Sequence, residues 1–514
     1  MKLKRKIKTK VKLHPVMSIL IIIFGVIVLS LLLSIFNFSF SYTSINSSRG
    51  EYITTTESII NMFSLHGIKY IFANTVANFA NYKVLSNLII TLIGIGVMEK
   101  SGFLQTALGL LTRKAKKRTI TFVIILICLL SSIMGDIPFL AIIPISGLIF
   151  KYGKRNPNIG VISSYAALTC GYGLSIFFTS IDSSLANLTT VSAKMLDNDF
   201  TFNTFSLILF MTVSILLLSL VLTYITENIV AKKLPKYEFI EDLEGEFKPS
   251  KIELKGLIIS IFASIIYLII IIYNIIPGLP LSGNFLNYRE SLYIDKLFGS
   301  NSFFSNGFVF IITILFIILG LVYGIVAKKI KNSRDFVDAL GYSLNGIGKT
   351  LVYIFVGSTL ISIFKYSNIG NVVVAGLTNL IVSSNFKGLA LVLLLFLCSI
   401  IATFFVPGST NKWTIMSSSV VPTFLNAGIS SEFTQLVFRL GESVSIGITP
   451  IFAYYIIYLA YLERGSQGKN ELSLLDSFKI MIPYCTLTAC TFVALIVFWY
   501  LINIPLGING FVFI

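Results

Sequence analysis

Long apolar stretches separated by short polar segments recur along the whole chain. An α-helix needs about 20 apolar residues to cross the hydrocarbon core of a bilayer. Stretches of this length predict nine crossing helices, over 16–36, 84–111, 158–182, 203–226, 254–275, 307–326, 344–364, 433–460 and 480–502. The pattern therefore predicts an all-α polytopic membrane protein.

Composition and charge agree with this prediction. The 514 residues are 55% hydrophobic and only 12% charged, which excludes a soluble domain of this length. The net charge is +17, but the basic residues lie in short clusters between the apolar stretches, within 1–15, 112–118, 151–155, 231–236, 327–334 and 464–469. Such clusters mark cytoplasmic segments, so we expect a cytoplasmic N-terminus over 1–15 and no nucleic-acid partner.

Two further apolar segments begin and end on the same predicted side of the membrane. In 119–150, two short arms are separated only by Gly135 and Asp136. In 388–425, the apolar run is interrupted by FFVPGSTNKWTIM, which starts at Phe404. Each segment has an arm too short to span a bilayer, so both predict re-entrant hairpins, one entering from each face.

The order of these elements predicts an internal repeat. Helices one to four with the first hairpin form a first repeat over 16–226, and helices six to nine with the second hairpin form a second repeat over 307–514. Helix five and its loops, 227–306, link them. The two repeats have opposite predicted orientations, which is the inverted-repeat plan of secondary transporters. Irregular backbone inside a membrane survives only where protein or a water-filled cavity satisfies it.

Each hairpin is followed by a helix that glycines interrupt, in CGYGLSIFFTSIDSS (170–184) and RLGESVSIGITP (439–450). Ionisable residues within spans are costly and mark functional sites. Asp182 is therefore a candidate for ion coupling, with an interfacial position as the alternative. Arg439 and Glu442 are spaced i, i+3 and either form a structural ion pair or act separately. In the second case Arg439 holds a substrate carboxylate and Glu442 joins ion coupling.

The hairpin turns carry the remaining candidates. Asp136 is a candidate for ion coupling or a cap for the second arm of its hairpin. Trp413 could stack on an aromatic substrate, with interfacial anchoring as the alternative, and Lys412 beside it could attract an anion. Ser409, Thr410 and Asn411 offer oxygens for a substrate or a hard cation. The only histidines, His14 and His66, lie outside the spans, and no Cys/His spacing predicts a metal site.

Several motifs together resemble the aminobenzoyl-glutamate transporter (AbgT) family. In chain order they are GIGVMEKSG, IMGDIPFLAIIP, TSIDSSLANLT, GSTNKWTIMSSSVVP and LVFRLGESVSIGITP, and the likeness covers nearly the whole chain. The resemblance implies a dimeric transporter of the bacterial inner membrane with nine helices and two hairpins. It implies coupling to Na⁺ or H⁺, no cofactor, and import of p-aminobenzoyl-glutamate or export of sulfonamide-type antifolates.

The functional positions of the family match Asp182, Trp413, Arg439 and Glu442, and any sodium is expected near Asp182 and Glu442. The family usually has aspartate where this chain has Glu442. It has proline at the position of Ser431 and asparagine at that of Ser175. Three other functions remain open: a transporter of other carboxylates such as dicarboxylates, a channel, and an intramembrane enzyme. We expect no enzymatic activity.

Overall fold

The computed structural model describes residues 13–46, 51–234, 237, 248–299, 301–465 and 472–514. The first half contains α1 (Pro15–Ile35), β1 (Ser39–Asn46), β2 (Glu51–Ser58), α2 (Leu65–Ala80), α3 (Lys83–Lys100), α4 (Phe103–Lys114), α5 (Lys117–Leu130), α6 (Pro138–Tyr152), α7 (Pro157–Cys170), α8 (Ser180–Ala193), α9 (Ile208–Ile225) and α10 (Ala231–Lys233). Then follow α11 (Lys251–Ile275), α12 (Tyr293–Phe298), α13 (Phe303–Val326), α14 (Ser333–Tyr342), α15 (Gly348–Tyr366), α16 (Ile369–Ser383), α17 (Leu389–Phe405), α18 (Ser409–Asn426), α19 (Ser431–Ser445), α20 (Ala453–Gly465) and α21 (Leu474–Ile502).

Within the described residues, nine helical segments are long and apolar enough to cross a membrane. Eight of them overlap the predicted crossings. The exception is the predicted helix over 158–182, which the structure divides into α7 and α8 because residues 171–179 are irregular. The ninth segment that meets the length and composition criteria is instead Lys117–Met134. The prediction of a mostly helical protein is confirmed, and the number of candidate membrane helices among the described residues is nine as predicted, with Lys117–Met134, an arm of the first predicted hairpin, in place of the helix over 158–182.

Two pairs of short helices occupy the predicted hairpin segments. In the first pair, α5 continues as a 3₁₀ turn over Ser131–Met134, and α6 begins at Pro138. In the second pair, residues 406–408 separate α17 from α18, and α17 lies against α16 and α19. Gly408 has a φ of +138°, a conformation that L side chains rarely adopt, so this reversal depends on a glycine. The depth of both pairs in the bilayer stays a prediction.

The same order of elements occurs twice. A helix pair, a helix that breaks, its second half and a long apolar helix follow one another as α5 to α9 and again as α17 to α21. The two series also contact each other: α18 packs against α8, and α6 packs against α20. The second arm of each pair therefore contacts the half-helix that follows the break in the other series. Their opposite orientation in the membrane stays a prediction.

The structure adds elements in two segments that lie between the predicted membrane segments. Strands β1 and β2 pair in antiparallel fashion, as the alternation in SFSYTSIN is typical of a strand. Helices α2 and α16 follow within 37–83 and 366–387. Residues 1–12 of the predicted basic N-terminus (1–15) and parts of the basic clusters at 231–236 and 464–469 lie outside the described residues.

Candidate functional site

Helix α19 carries the central polar side chains, and all of its residues are buried. Gln435, Arg439 and Glu442 follow one another at i, i+4 and i+7, so they lie on one face of the helix. The helix ends at Ser445 and gives way to a 3₁₀ turn over Ile446–Ile448, before α20 begins at Ala453. The glycine-containing sequence SIGITP therefore interrupts the helix as predicted, just beyond its charged face.

Four charged side chains form one buried cluster, the charged cluster, made of Asp182, Lys412, Arg439 and Glu442. The Nζ of Lys412 lies 2.7 Å from Oε1 of Glu442, and both side chains are fully buried. The Nη1 of Arg439 donates a hydrogen bond to Oε2 of Glu442 at 2.9 Å, as expected from their i, i+3 spacing. The Nε of Arg439 lies 3.5 Å from Oδ1 of Asp182. The chain thus brings together residues from α8, α18 and α19.

Neutral oxygens complete the surroundings of the charged cluster. Ser409 donates to Oε2 of Glu442 at 2.7 Å and accepts from Nη1 of Arg439 at 2.6 Å. Lys412 donates to Oγ1 of Thr403 at 2.6 Å. The Nη2 of Arg439 donates to the carbonyl oxygen of Tyr172 at 3.1 Å, and its guanidinium lies 5.7 Å from the centre of the Tyr172 ring. Buried charges persist only when they are paired and hydrogen-bonded. Each of the four has an ion-pair partner, while Nε of Arg439 and Oε1 of Glu442 make ion-pair contacts without a hydrogen bond among the described residues.

Asp182 has two roles in the structure. Its Oδ2 accepts hydrogen bonds from the backbone N–H and the hydroxyl of Thr179, at 3.1 and 2.7 Å, which caps the N-terminus of α8. Its Oδ1 faces Arg439. A carboxylate is favoured at a helix N-terminus because the free N–H groups there carry partial positive charge. The break between α7 and α8 therefore positions Asp182 so that it meets Arg439 in the charged cluster.

Close backbone approach holds this break against α19. A Cβ atom on Gly173 would lie 2.1 Å from the carbonyl oxygen of Arg439, so only glycine fits there. The N–H of Gly173 also donates to the hydroxyl of Ser443 at 2.7 Å. Gly173 of CGYG thus allows contact between the two broken helices as well as interruption of the first.

Trp413 lies beside the charged cluster in a second polar chain. Its indole N–H donates to the hydroxyl of Thr189 at 2.8 Å, and Thr189 donates to Oε1 of Gln435 at 2.6 Å. The ring of Phe438 lies 4.5 Å from the Trp413 ring, centre to centre. Trp413 is fully buried. It ties α18 to α8 and α19, and both roles considered for it, stacking on a substrate and interfacial anchoring, stay predictions.

The first hairpin turn lies next to the cluster and lines two adjoining cavities. A small cavity of about 20 Å³ is lined by Gly135, Thr179 and Arg439, among others. A larger one of about 310 Å³ shares Gly135 and Thr179 and is also lined by Asp136 and Tyr454. Within the described part of the chain, Oδ1 of Asp136 is buried without a hydrogen-bond partner. The N-cap of α6 is Ile137, so Asp136 is not the side-chain cap of that helix.

Of the candidates taken from sequence, Asp182, Lys412, Arg439 and Glu442 form the charged cluster. Ser409 contacts it through hydrogen bonds with Glu442 and Arg439. Trp413 lies one helical turn away from Ser409. Thr410 and Asn411 are exposed, because α18 turns them away from the face that carries Ser409 and Lys412. Their roles in transport stay predictions.

Sequence reasoning missed Thr189, Thr403, Gln435 and Tyr172. A periodic signal was present for two of them, because Thr189 is seven residues after Asp182 and Gln435 is four residues before Arg439.

Among the described residues, no group of three or more His, Cys, Asp or Glu side chains could hold a metal ion. The oxygens near Asp182 and Glu442 are of the hard type that suits an alkali cation or a proton.

The charged cluster contains two cations and two anions, so its formal charges sum to zero. A substrate carboxylate that pairs with Arg439 or Lys412 adds one buried negative charge. Such a charge is strongly disfavoured at low dielectric unless a cation or a proton enters with it. The arrangement can therefore link the binding of an anion to the binding of a cation.

Known proteins resemble the chain along nearly its whole length. It is 23% identical over 498 residues to the p-aminobenzoyl-glutamate transport protein of Escherichia coli (strain K12), covering 96% of this chain and 93% of that protein. The YdaH transporter of Alcanivorax borkumensis, a solved structure, is 22% identical with a TM-score of 0.48 and covers 96% of this chain and 100% of its own. MtrF of Neisseria gonorrhoeae, solved in a study of antimetabolite efflux pumps, is 24% identical with a TM-score of 0.49 and 98% coverage of both chains. The AbgT putative transporter family matches residues 7–514, so the chain belongs to this family of membrane transporters and is not an enzyme.

Proposed function

We propose that the protein is an ion-coupled secondary transporter of p-aminobenzoyl-glutamate or a related aromatic carboxylate, antifolates included, in the plasma membrane of a bacterium. The observation that carries this proposal is the charged cluster, which is buried and electrically balanced where the second hairpin meets both broken helices. Buried ionisable residues within spans mark substrate and ion pathways. Broken helices at the centre of a transporter fold form its binding sites.

The substrate is proposed from the chemistry of the cluster together with the relative in Escherichia coli, which is named for p-aminobenzoyl-glutamate. Arg439 presents a planar guanidinium, which suits two-pronged binding of a carboxylate. Lys412 adds a second cation 2.7 Å from Glu442. The rings of Tyr172, Trp413 and Phe438 border these cations and suit the aromatic ring of the ligand.

Ion coupling is proposed from the balance of charge. When a substrate carboxylate pairs with Arg439, the carboxylates of Asp182 and Glu442 lose part of their own pairing with that arginine. A cation or a proton that binds to them compensates for the loss. Asp136 is a second group for the coupling ion, because its unpartnered oxygen lines the larger cavity beside the hairpin turn. Thr179 borders both cavities and also bonds Asp182, which connects the two carboxylates.

The test is uptake of radiolabelled p-aminobenzoyl-glutamate into proteoliposomes that contain the purified protein, with sodium and proton gradients imposed separately. We expect accumulation under one gradient, and loss of accumulation in Arg439→Ala with the protein still folded. Arg289→Ala, an exposed arginine outside the site, is the matched control. Uptake that survives Arg439→Ala would remove the charged cluster from substrate binding.

A second candidate function is transport of aliphatic dicarboxylates on the same architecture. It is favoured by the burial of Trp413, whose indole N–H already binds Thr189 and whose ring already packs on Phe438. A substrate without a ring needs only the cations. Competition experiments with the radiolabelled substrate decide between the two functions. If the first proposal holds, aromatic acids should inhibit its uptake. If the second holds, glutarate should inhibit its uptake as well as the aromatic acids do.

A further inference from the structure

A separate cavity of about 220 Å³ lies at the end of the molecule that carries the basic clusters. Its walls come from the last turns of three helices: Glu99 of α3, Lys151 of α6, and Tyr461 and Arg464 of α20. Ser343, just after α14, closes one side. Lys151 and Arg464 belong to clusters that we expect on the cytoplasmic face. None of these residues belongs to the charged cluster.

The polar groups of this cavity are incompletely paired. The Nζ of Lys151 lies 3.9 Å from Oε1 of Glu99, a loose contact, while Ser343 donates to Oε2 of Glu99 at 3.2 Å. The hydroxyl of Tyr461 is buried and has no hydrogen-bond partner among the described residues. Among the described residues that line the cavity, two cations face one carboxylate, which leaves one positive charge in excess. An unpaired buried hydroxyl and an excess cation together suit a carboxylate ligand.

A series of aromatic rings leads from the charged cluster toward this cavity. The Arg439 guanidinium lies over Tyr172, whose ring is 6.1 Å from that of Phe452. Phe452 is 5.4 Å from Phe139, which is 6.2 Å from Tyr165. Tyr165 stacks on Tyr458 with ring centres 4.2 Å apart. Tyr458 and Tyr461 are three residues apart on α20 and share its face.

We propose that the cavity is a second binding position for aromatic carboxylates, on the cytoplasmic side of the charged cluster, with Lys151 as its main ligand. Arg464 adds charge at its mouth, and the Tyr461 hydroxyl donates to the ligand. The stacked pair Tyr165–Tyr458 closes the way between the two positions. This inference rests on the proposed function for the identity of the ligand, and its test separates the two.

The test uses p-aminobenzoate as the probe and isothermal titration calorimetry on the detergent-purified protein at low salt. The background variant is Arg439→Ala, which disables the charged cluster. This protein should retain weak, saturable binding. Adding Lys151→Gln should weaken that binding at least tenfold, the loss expected for a charge-assisted hydrogen bond. Lys154→Gln, the same charge change three residues away and outside the cavity, should leave it unchanged.

Glu99→Gln gives a result of opposite sign. It frees Lys151 from its loose partner, so binding should become about two- to fivefold tighter. The inference is overturned if Arg439→Ala that is folded and monodisperse on size exclusion binds no p-aminobenzoate, or if Lys151→Gln and Lys154→Gln have equal effects. A protein that binds p-aminobenzoate at Lys151 but transports no p-aminobenzoyl-glutamate would contradict the proposed substrate alone.

Discussion

Removal of a single charge from the charged cluster should destabilise the protein more than removal of a matched pair. Lys412→Met takes away one cation without introducing a polar group and leaves Arg439 to face two carboxylates. Breaking one side of a buried ion pair costs about 3–5 kcal/mol, because the remaining charge stays buried without compensation. Glu442→Gln should cost a similar amount by leaving Lys412 unpaired. If the effects were independent, the double variant would lose about 6–10 kcal/mol.

The double variant Lys412→Met/Glu442→Gln should instead lie close to the wild type. It leaves Arg439 paired with Asp182, so the charges again sum to zero. Replacing a buried ion pair by neutral groups of similar volume is often neutral in free energy. The Thr403 hydroxyl loses its bond from Lys412, at a cost of about 1 kcal/mol. A net loss of about 1–2 kcal/mol is therefore expected.

The assay is thermal unfolding of five detergent-purified proteins: the wild type, the two single variants, the double variant and a control. Size exclusion after heating measures the fraction of each protein that stays monodisperse. The expected order of midpoints is wild type, then the double variant, then both single variants. Lys387→Met, at an exposed lysine, serves as the control and should match the wild type. A double variant no more stable than the weaker single variant would refute the idea that these charges compensate one another.

Three further variants test other parts of the site. Gly173→Ala should abolish transport, because its Cβ would lie 2.1 Å from a backbone oxygen of α19. Gly341→Ala, with open space around it, should leave uptake intact. Equal uptake by the two variants would contradict the close approach. Trp413→Phe should lower stability by about 1–2 kcal/mol through the lost indole bond, and combination with Thr189→Val should add less than the sum of the two, as melting midpoints would show. Asp136→Asn should keep the fold, since one carboxylate oxygen has no partner, but should lose gradient-driven uptake while substrate exchange continues; normal gradient-driven uptake would exclude Asp136 from coupling.

Much of the fold could be predicted because apolar length and basic clusters report directly on a bilayer. The turn at Gly135 and the reversal at Gly408 were visible as interruptions of apolar runs. The crossing over 158–182 was counted as one apolar span, because its apolar character continues through the break, but the glycines of CGYGLSIFFTSIDSS did predict the interruption that separates α7 from α8. A hydropathy pattern records what a segment is buried against, and it does not record whether the backbone is helical.

The charged cluster could be predicted only in part. Asp182, Arg439 and Glu442 stood out because charges are rare within spans. Thr189 and Thr403 did not, because threonine is common in such helices and its role depends on a partner far away in sequence. Thr189 meets Trp413 across a separation of 224 residues, and nothing local indicates that contact. The contacts between the two halves of the chain needed the structure.

The zero sum of charge in the cluster has an electrical consequence. Moving one elementary charge through a membrane potential of 100 mV involves about 2.3 kcal/mol. An empty transporter that switches sides carries these four residues with no net charge, so this step should be insensitive to voltage. Any voltage dependence of turnover would then arise in the loaded step, from the difference between the charges of the substrate and of the ions that accompany it. Currents recorded across a planar bilayer would in this way count the coupling ions.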